Sequence, residues 1–126
     1  MLVLDSGGVT RLSVRTARSL ALIRGFVAAD LWPPVVPTVV LVESLQGHPG
    51  RGANANRFLK ACILESTVTD TLVRRAAELR RRARAGSAVD ALVVAMAEPG
   101  GTVLTGDKAD LEALAAHARG VAVELV

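Results

Sequence analysis

The segment that decides the fold, residues 87–99, has the sequence SAVDALVVAMAEP. Between Ser87 and Glu98 its only polar side chain is Asp90, and all the others are Ala, Val, Leu or Met. Helices that are apolar on nearly every side are buried, so this segment predicts a core helix. A buried carboxylate is costly unless it is paired, hydrogen-bonded or neutralised. Asp90 therefore needs either a structural partner or a function.

Strand-like segments lie before and after this helix. The run MLVL (1–4) predicts a buried strand that ends at Asp5, and Gly7 and Gly8 predict a turn behind it. Further strands are predicted at 35–36, 64–69, 102–106 and 121–125. Strands that alternate with helices favour a parallel sheet in an α/β sandwich, here with four to five strands flanked by helices in three layers.

Helical patterns occupy the intervals between the strands. They cover residues 10–30 with a break near Gly25, 38–47, 52–62 and 110–118. The clearest helix has Asp70 as its predicted N-cap and stops at Gly86. No repeat or linker interrupts the sequence, so we expect one domain over residues 1–126.

Composition excludes several classes of protein. The chain has 126 residues and is 51% hydrophobic, enough for one compact core. Its apolar runs are much shorter than the roughly 20 residues of a membrane helix, and MLVLD lacks the basic start of a signal peptide. The single Cys62 cannot form an intrachain disulfide, which favours the reducing cytoplasm. His48 and His117 stand apart, so we expect surface positions rather than a zinc site.

Four acidic residues occupy positions from which they could share one site. Ligands of open parallel sheets bind beyond the carboxyl ends of the strands. Asp5 and Asp107 follow two predicted strands, whereas Glu43 and Asp90 lie on apolar helical segments. Asp110, three residues beyond Asp107, could add a fifth acid.

Each acid also has an ordinary structural explanation. Asp5 could cap the following helix, and Ser87 with Asp90 matches a capping box. Glu43 could lie on a solvated strip with Ser44 and Gln46. Either Asp107 or Asp110 should cap the last helix, and Asp110 directly before LEAL is the better candidate.

A divalent cation would explain the four acids together. Converging carboxylates repel one another, which raises their pKa values, and a bound cation removes that cost. Oxygen ligands without His or Cys favour Mg²⁺ or Mn²⁺. Such an ion can activate water and stabilise the leaving oxygen in phosphodiester cleavage.

Arginine dominates the positive charge. The chain carries 15 basic and 12 acidic residues, for a net charge of +3. The segment RRAAELRRRAR (74–84) places Arg74, Arg75, Arg81 and Arg82 outside its apolar stripe. These four form either a solvated helix face or a surface that binds a phosphate backbone. Because only three aromatic residues are present, we do not expect an aromatic platform for base stacking.

At these residues the sequence resembles the PIN-domain nucleases, and specifically the VapC-type toxins of toxin–antitoxin pairs. The resemblance covers essentially the whole chain: VLD at the start, Glu within PTVVLVESLQG, Asp within SAVDALVVAMA, and VLTGDKADLEAL near the end. It implies that Asp5, Glu43, Asp90 and Asp107 are catalytic acids and that Asp5, Asp90 and Asp107 bind the metal. Asp110, Thr105 and Ser6 are implied to be accessory residues.

The resemblance also implies a fold, an activity and partners. The fold would be a PIN-like sandwich around a mainly parallel sheet. The activity would be an endoribonuclease that depends on Mg²⁺ or Mn²⁺ and cuts tRNA or ribosomal RNA. The partners would be a VapB-type antitoxin, whose tail occupies the active-site groove, and a second copy of the chain in a homodimer.

The sequence departs from the family at Gly7, where the family usually has Ser or Thr. This loses a hydroxyl near the metal, although Gly7 and Gly8 could let backbone N–H groups approach a phosphate. A degenerate domain that binds RNA or protein without catalysis is therefore the alternative. A phosphoacceptor receiver domain fits less well, because Asp5 has no acidic neighbour and no late Lys-Pro occurs.

Overall fold

A computed structural model describes residues 1–45 and 47–126. A five-stranded sheet runs through it in the order β3-β2-β1-β4-β5, and every neighbouring pair is parallel. The strands are β1 (Leu2–Leu4), β2 (Val35–Pro37), β3 (Ile63–Glu65), β4 (Thr102–Thr105) and β5 (Ala122–Leu125). The predicted α/β class with a parallel central sheet is confirmed.

Helices flank the sheet on both faces. They are α1 (Ser6–Ser13), α2 (Ala17–Ala28), α3 (Leu41–Ser44), α4 (Pro49–Leu59), α5 (Asp70–Ala83), α6 (Ala88–Ala97) and α7 (Ala109–Ala115). Helix α1 contacts α2, α3 and α4, whereas α5, α6 and α7 contact one another. Helices α1 and α6 both pack on β1 and β4 but, in the described residues, do not pack on each other, so they occupy opposite faces of the same strands. The result is the predicted three-layer sandwich.

The core centres on β1 and α6, as the apolar patterns of these segments predict. All three residues of β1 are buried, and α6 buries Ala91, Val93, Val94, Ala95 and Ala97. When an apolar helix packs on a parallel sheet, the facing side chains of both the helix and the sheet are removed from water, which stabilises the fold. The first residues of α6 are thereby fixed at the carboxyl end of β1.

The predicted turn at Gly7 and Gly8 is wrong, because both residues belong to α1. The Asp5 side chain caps this helix by accepting from the Gly8 amide at 2.8 Å, so the helix begins directly after β1. A Cβ on Gly8 would lie 2.5 Å from the Leu104 carbonyl oxygen. The glycine therefore permits a close approach of α1 to β4 rather than a turn.

The single helix predicted over 10–30 is two helices. The helical path is interrupted at Arg15, which has a positive φ of 57°. Thr16 then caps the start of α2 by accepting from the Ser19 amide. Gly25, the predicted break, lies inside α2. A positive φ at a non-glycine residue leaves no simple mark in the sequence pattern.

Other boundaries also differ from the sequence predictions. The segment predicted helical over 38–47 has a 3₁₀ turn at Thr38–Val40 followed by α3, and Gln46 lies outside the described residues. Helix α5 is capped by Thr69, which accepts from the Leu72 amide, and Asp70 is its first residue rather than its cap. The strand predicted within 64–69 is Ile63–Glu65.

Within the two described ranges, no helix is both long and apolar enough to cross a bilayer. His48 and His117 are both exposed, as predicted. His48 has a local structural role, since its Nδ1 accepts from the Arg51 amide at 3.2 Å and caps α4.

Candidate active site

Asp5 is the most enclosed acid of the predicted site. It follows β1 and is 9% exposed. One carboxylate oxygen accepts from the Gly8 amide, and the other accepts from the Thr105 hydroxyl at the end of β4. Burial raises the pKa of Asp5 above its usual value, and although these two hydrogen bonds lower it, the nearby charges of Asp90 and Glu43 raise it further. The structure therefore brings three carboxylates from distant segments within electrostatic reach of one another.

Asp90 has both a structural partner and a place near this site. Its backbone amide donates to the Ser87 hydroxyl at 3.0 Å, and its carboxylate accepts from the Ser87 amide at 2.9 Å. This is the predicted capping box at the start of α6. The same carboxylate acts on the pKa of Asp5, so the cap also fixes a negative charge beside the end of β1.

Glu43 lies on α3, and its exposed side chain accepts a hydrogen bond from Ser6 across 37 positions of sequence. The donor Ser6 Oγ lies 2.9 Å from Glu43 Oε2. Ser6 is the first residue of α1, so this contact joins α3 to the helix that Asp5 caps. The exposure of Glu43 agrees with the predicted solvated strip, and its contact with Ser6 places it at the same end of the sheet as Asp5.

The segment after β4 contributes Thr105, Asp107 and Asp110. The buried Thr105 hydroxyl lies between Asp5 and the Asp107 backbone, accepting from the Asp107 amide at 3.1 Å. The Asp107 and Asp110 side chains are exposed. Among the described residues, the Asp107 carboxylate accepts a single hydrogen bond, from the Ala109 amide at 3.4 Å. The predicted cap at Asp110 is wrong, because α7 begins after Lys108 and Asp110 lies in its first turn.

Packing explains why position 7 is a glycine and not the Ser or Thr of the pattern that the sequence resembles. A Cβ at this position would lie 2.7 Å from the Gly106 backbone nitrogen and 3.3 Å from Asp5 Oδ1. The first turn of α1 therefore touches the backbone behind β4, and a side chain would force the two apart. Thr105 places its own hydroxyl on the other carboxylate oxygen of Asp5.

A cleft of about 510 Å³ opens beside Glu43. Its lining includes Ser6, Arg11, Glu43, His48, Arg51 and Asn54. Neither Arg11 nor Arg51 is among the predicted site residues. Arg11 could have been found, because it lies one helical turn after Gly7 on α1, but Arg51 reaches the cleft only through the packing of α4 against α1.

The four predicted arginines of α5 differ in their surroundings. Arg74 forms an exposed ion pair with Asp70, and Arg82 pairs with Glu78 at 3.0 Å. Arg75 makes a two-point contact with the Glu98 carboxylate, with both nitrogen–oxygen distances at 2.8 Å. The Glu98 side chain is only 3% exposed, so Arg75 has a structural role.

Arg81 belongs to a second basic surface at the end of α5. Together with Arg80, Arg84 and Gly86 it lines an open cleft of about 530 Å³. A Cβ on Gly86 would lie 3.5 Å from the Asp90 Cβ. This basic surface therefore adjoins the capping box that carries Asp90.

No family model and no curated protein matches the sequence. Among solved structures, the chain matches one in the crystal structure of VapBC2 from Rickettsia felis bound to a DNA fragment from their promoter. The match covers 100% of this chain and 99% of the other, with a TM-score of 0.71 and 10% sequence identity. The chain has a PIN-like fold. At this identity the likeness is one of fold.

The acids of the PIN-like fold can be tested for their fit to a divalent cation. Within residues 1–45 and 47–126, no three His, Cys, Asp or Glu side chains form a group that could hold a metal ion. The donors at Asp5, Glu43 and Asp90 are nevertheless all carboxylate oxygens, which suit Mg²⁺ and Mn²⁺. Mg²⁺ commonly binds one or two carboxylates and keeps several waters, so the donor chemistry fits such an ion.

Proposed function

We propose that this protein is a metal-dependent endoribonuclease of the VapC toxin type. The observation that carries the proposal is the gathering of three carboxylates from distant segments: Asp5 is buried at the end of β1, Glu43 bonds the first residue of α1, and Asp90 lies in the cap of α6 near enough to raise the pKa of Asp5. A fold gains nothing in stability from gathering like charges, and such perturbed groups are frequent at catalytic sites. The PIN-like fold supports the same assignment by analogy.

Each acid has a proposed role. Asp5, Asp90 and Asp107 would hold Mg²⁺ or Mn²⁺, partly through water. When bound, the cation would activate water for attack on an RNA phosphodiester and stabilise the leaving oxygen. Glu43, fixed by Ser6 at the edge of the cleft, would orient the attacking water. Asp110 would be an accessory acid on the exposed first turn of α7.

Thr105 would position Asp5 rather than react. Its hydroxyl has one proton, which it gives to the Asp5 carboxylate or to the Asp107 carbonyl oxygen, and it accepts from the Asp107 amide. This hydroxyl therefore couples the orientation of the first acid to the backbone of the last one.

The substrate and partners are proposed from the same assignment. RNA is the substrate class, with tRNA or ribosomal RNA as the expected target. We also propose a VapB-type antitoxin as inhibitor, a homodimeric assembly and a cytoplasmic location. Of the predicted RNA-binding arginines, Arg81 belongs to the surface beside Asp90, whereas Arg74, Arg75 and Arg82 are each engaged by a carboxylate.

Metal-dependent cleavage of total RNA tests this function. The purified protein should cut RNA with Mn²⁺ or Mg²⁺ and should not cut it with EDTA. Asp90→Asn should abolish cleavage, since an amide keeps an acceptor for the cap but loses the charge. Asp70→Asn is the matched control, because Asp70 is an exposed acid at the start of α5, the end of that helix that lies away from Asp90. The Asp70→Asn variant should cleave normally.

A non-catalytic binding module is the second candidate. Two observations favour it: Gly7 lacks the expected hydroxyl, and the described residues contain no closed group of three metal ligands. On this assignment the protein would bind RNA equally well in EDTA and in Mn²⁺ and would leave it intact. Intact RNA at a large excess of protein over RNA would contradict the nuclease proposal.

A further inference from the structure

Arg11 lies over the backbone that follows β4. Its Nε is 3.7 Å from the position that a Cβ on Gly106 would occupy. Gly106 has no side chain there, so the guanidinium has room between the end of β4 and the cleft. Arg11 is exposed and lines the same cleft as Glu43. A positive group is therefore held next to the candidate active site.

Arg51 enters the same cleft from α4. It lies in the first turn of that helix, where His48 caps its amide, and its side chain is exposed. Within the part of the chain that the structure describes, neither Arg11 nor Arg51 forms an ion pair. Their charges are thus available to a ligand, unlike those of the paired arginines on α5.

The remaining lining of the cleft favours a nucleic acid over a polypeptide helix. Ser6, Thr10 and Asn54 present hydroxyl and amide groups, which can bond ribose and base edges. An amphipathic helix would need a groove of large apolar side chains, and the apolar members of this lining are Val14 and Ala55. Guanidinium groups bind phosphate with two parallel hydrogen bonds.

We propose that the RNA strand crosses the carboxylates between two phosphate-binding surfaces. Arg11 and Arg51 hold its phosphates on the Glu43 side, and Arg81 and Arg84 hold them on the Asp90 side. This inference rests on the proposed function, since it takes RNA as the substrate. It adds which residues hold the strand on each side of the bond that is cut.

Salt-dependent RNA binding tests the role of the cleft arginines. Binding of a fluorescent, unstructured RNA oligonucleotide is measured by anisotropy in EDTA, between about 50 and 200 mM salt. Each phosphate contact to a single strand contributes about 0.7 to the slope of log K against log salt. Arg11→Gln with Arg51→Gln should lower the slope by about 1.4, which corresponds to about 25-fold weaker binding at about 0.1 M salt.

Two further variants control this measurement. Arg24→Gln with Lys60→Gln removes the same charge from exposed positions outside the cleft and should leave the slope unchanged. Arg11→Lys with Arg51→Lys keeps the charge and should retain most of the slope. An unchanged slope in the glutamine variant, an equal fall in the control, or no RNA binding by the natural chain would each overturn the inference. In the case of an unchanged slope, the ligand of the cleft would be an acidic polypeptide rather than RNA.

Cleavage by the natural chain is measured in parallel. If it cuts RNA with Mn²⁺ while the glutamine variant keeps the full salt slope, the inference fails and the proposed function stands. If the slope falls as expected but no cutting occurs, the RNA-binding role of Arg11 and Arg51 stands and the nuclease proposal fails.

Discussion

Gly7→Ser restores the hydroxyl that the family pattern has, and we expect it to destabilise this protein. The new Cβ would lie 2.7 Å from the Gly106 nitrogen, a distance that side-chain carbons do not adopt, and the opposing atoms belong to the backbone. The first turn of α1 must therefore move away from the segment behind β4. Because Asp5 caps α1 and bonds Thr105, this movement also displaces the carboxylate.

The magnitude follows from two opposing contributions. Forcing an extra carbon into a packed contact costs about 1–3 kcal/mol, while replacing glycine by serine inside a helix returns about 0.5 kcal/mol. The net loss is about 0.5–2.5 kcal/mol. For a chain of 126 residues, 1 kcal/mol corresponds to about 4 °C, so Tm should fall by about 2–10 °C.

Thermal unfolding followed by circular dichroism measures this change. Gly7→Ala should also lose stability, since the Cβ causes the clash, but by about 0.5 kcal/mol less than Gly7→Ser, because alanine is the better helix former. Gly25→Ser on α2 is the matched control, because no atom lies within 4 Å of its added carbon, and its Tm should stay level or rise. If Gly7→Ser melts at or above the temperature of the natural chain, the packing argument for Gly7 is refuted.

Three other perturbations have defined outcomes. Asp5→Asn should raise Tm at neutral pH while abolishing cleavage. Because the pKa of Asp5 is raised in the folded state, the natural chain should lose stability as pH rises through that pKa. The contrary result would be an Asp5→Asn variant whose Tm falls with pH as much as that of the natural chain. Glu98 has its pKa lowered to about 2 by Arg75, so it contributes stability above its ordinary pKa of 4.5 that is lost as pH falls towards 2. Arg75→Gln should cost about 3 kcal/mol in urea unfolding at pH 7 and flatten that acid dependence, whereas a loss below about 0.5 kcal/mol would show the contact to be unimportant. Burial raises the pKa of the Cys62 thiol to about 12, so iodoacetamide should label it slowly at pH 8 until urea unfolds the chain; rapid labelling of the folded protein would count against its burial.

Local patterns predicted the parts of the molecule that local physics determines. The apolar run around Asp90 indicated a buried helix, and Ser87 with Asp90 indicated its capping box; both are present. The alternation of strands and helices gave the parallel sheet. These features depend on residues a few positions apart, so the sequence displays them directly.

Features that depend on distant contacts could not be predicted in the same way. Gly7 and Gly8 lie in α1, where Leu104 and Gly106, from the other end of the chain, leave no room for a Cβ. Arg75 seemed equivalent to its neighbours, yet Glu98, 23 positions away, takes up its guanidinium. These contacting residues lie far away in the sequence. From its neighbours alone, the glycine pair therefore predicted a turn, and Arg75 predicted an unpaired surface charge.

Manganese binding tests the shared carboxylate site most directly. Calorimetric titration of the natural chain with Mn²⁺ at neutral pH should show binding that Asp5→Asn and Asp90→Asn each weaken at least about tenfold, the effect of one lost carboxylate ligand at about 1.4 kcal/mol or more. Asp70→Asn should bind Mn²⁺ as the natural chain does. Equal Mn²⁺ affinity in all four proteins, or none in the natural chain, would contradict a common cation at Asp5 and Asp90.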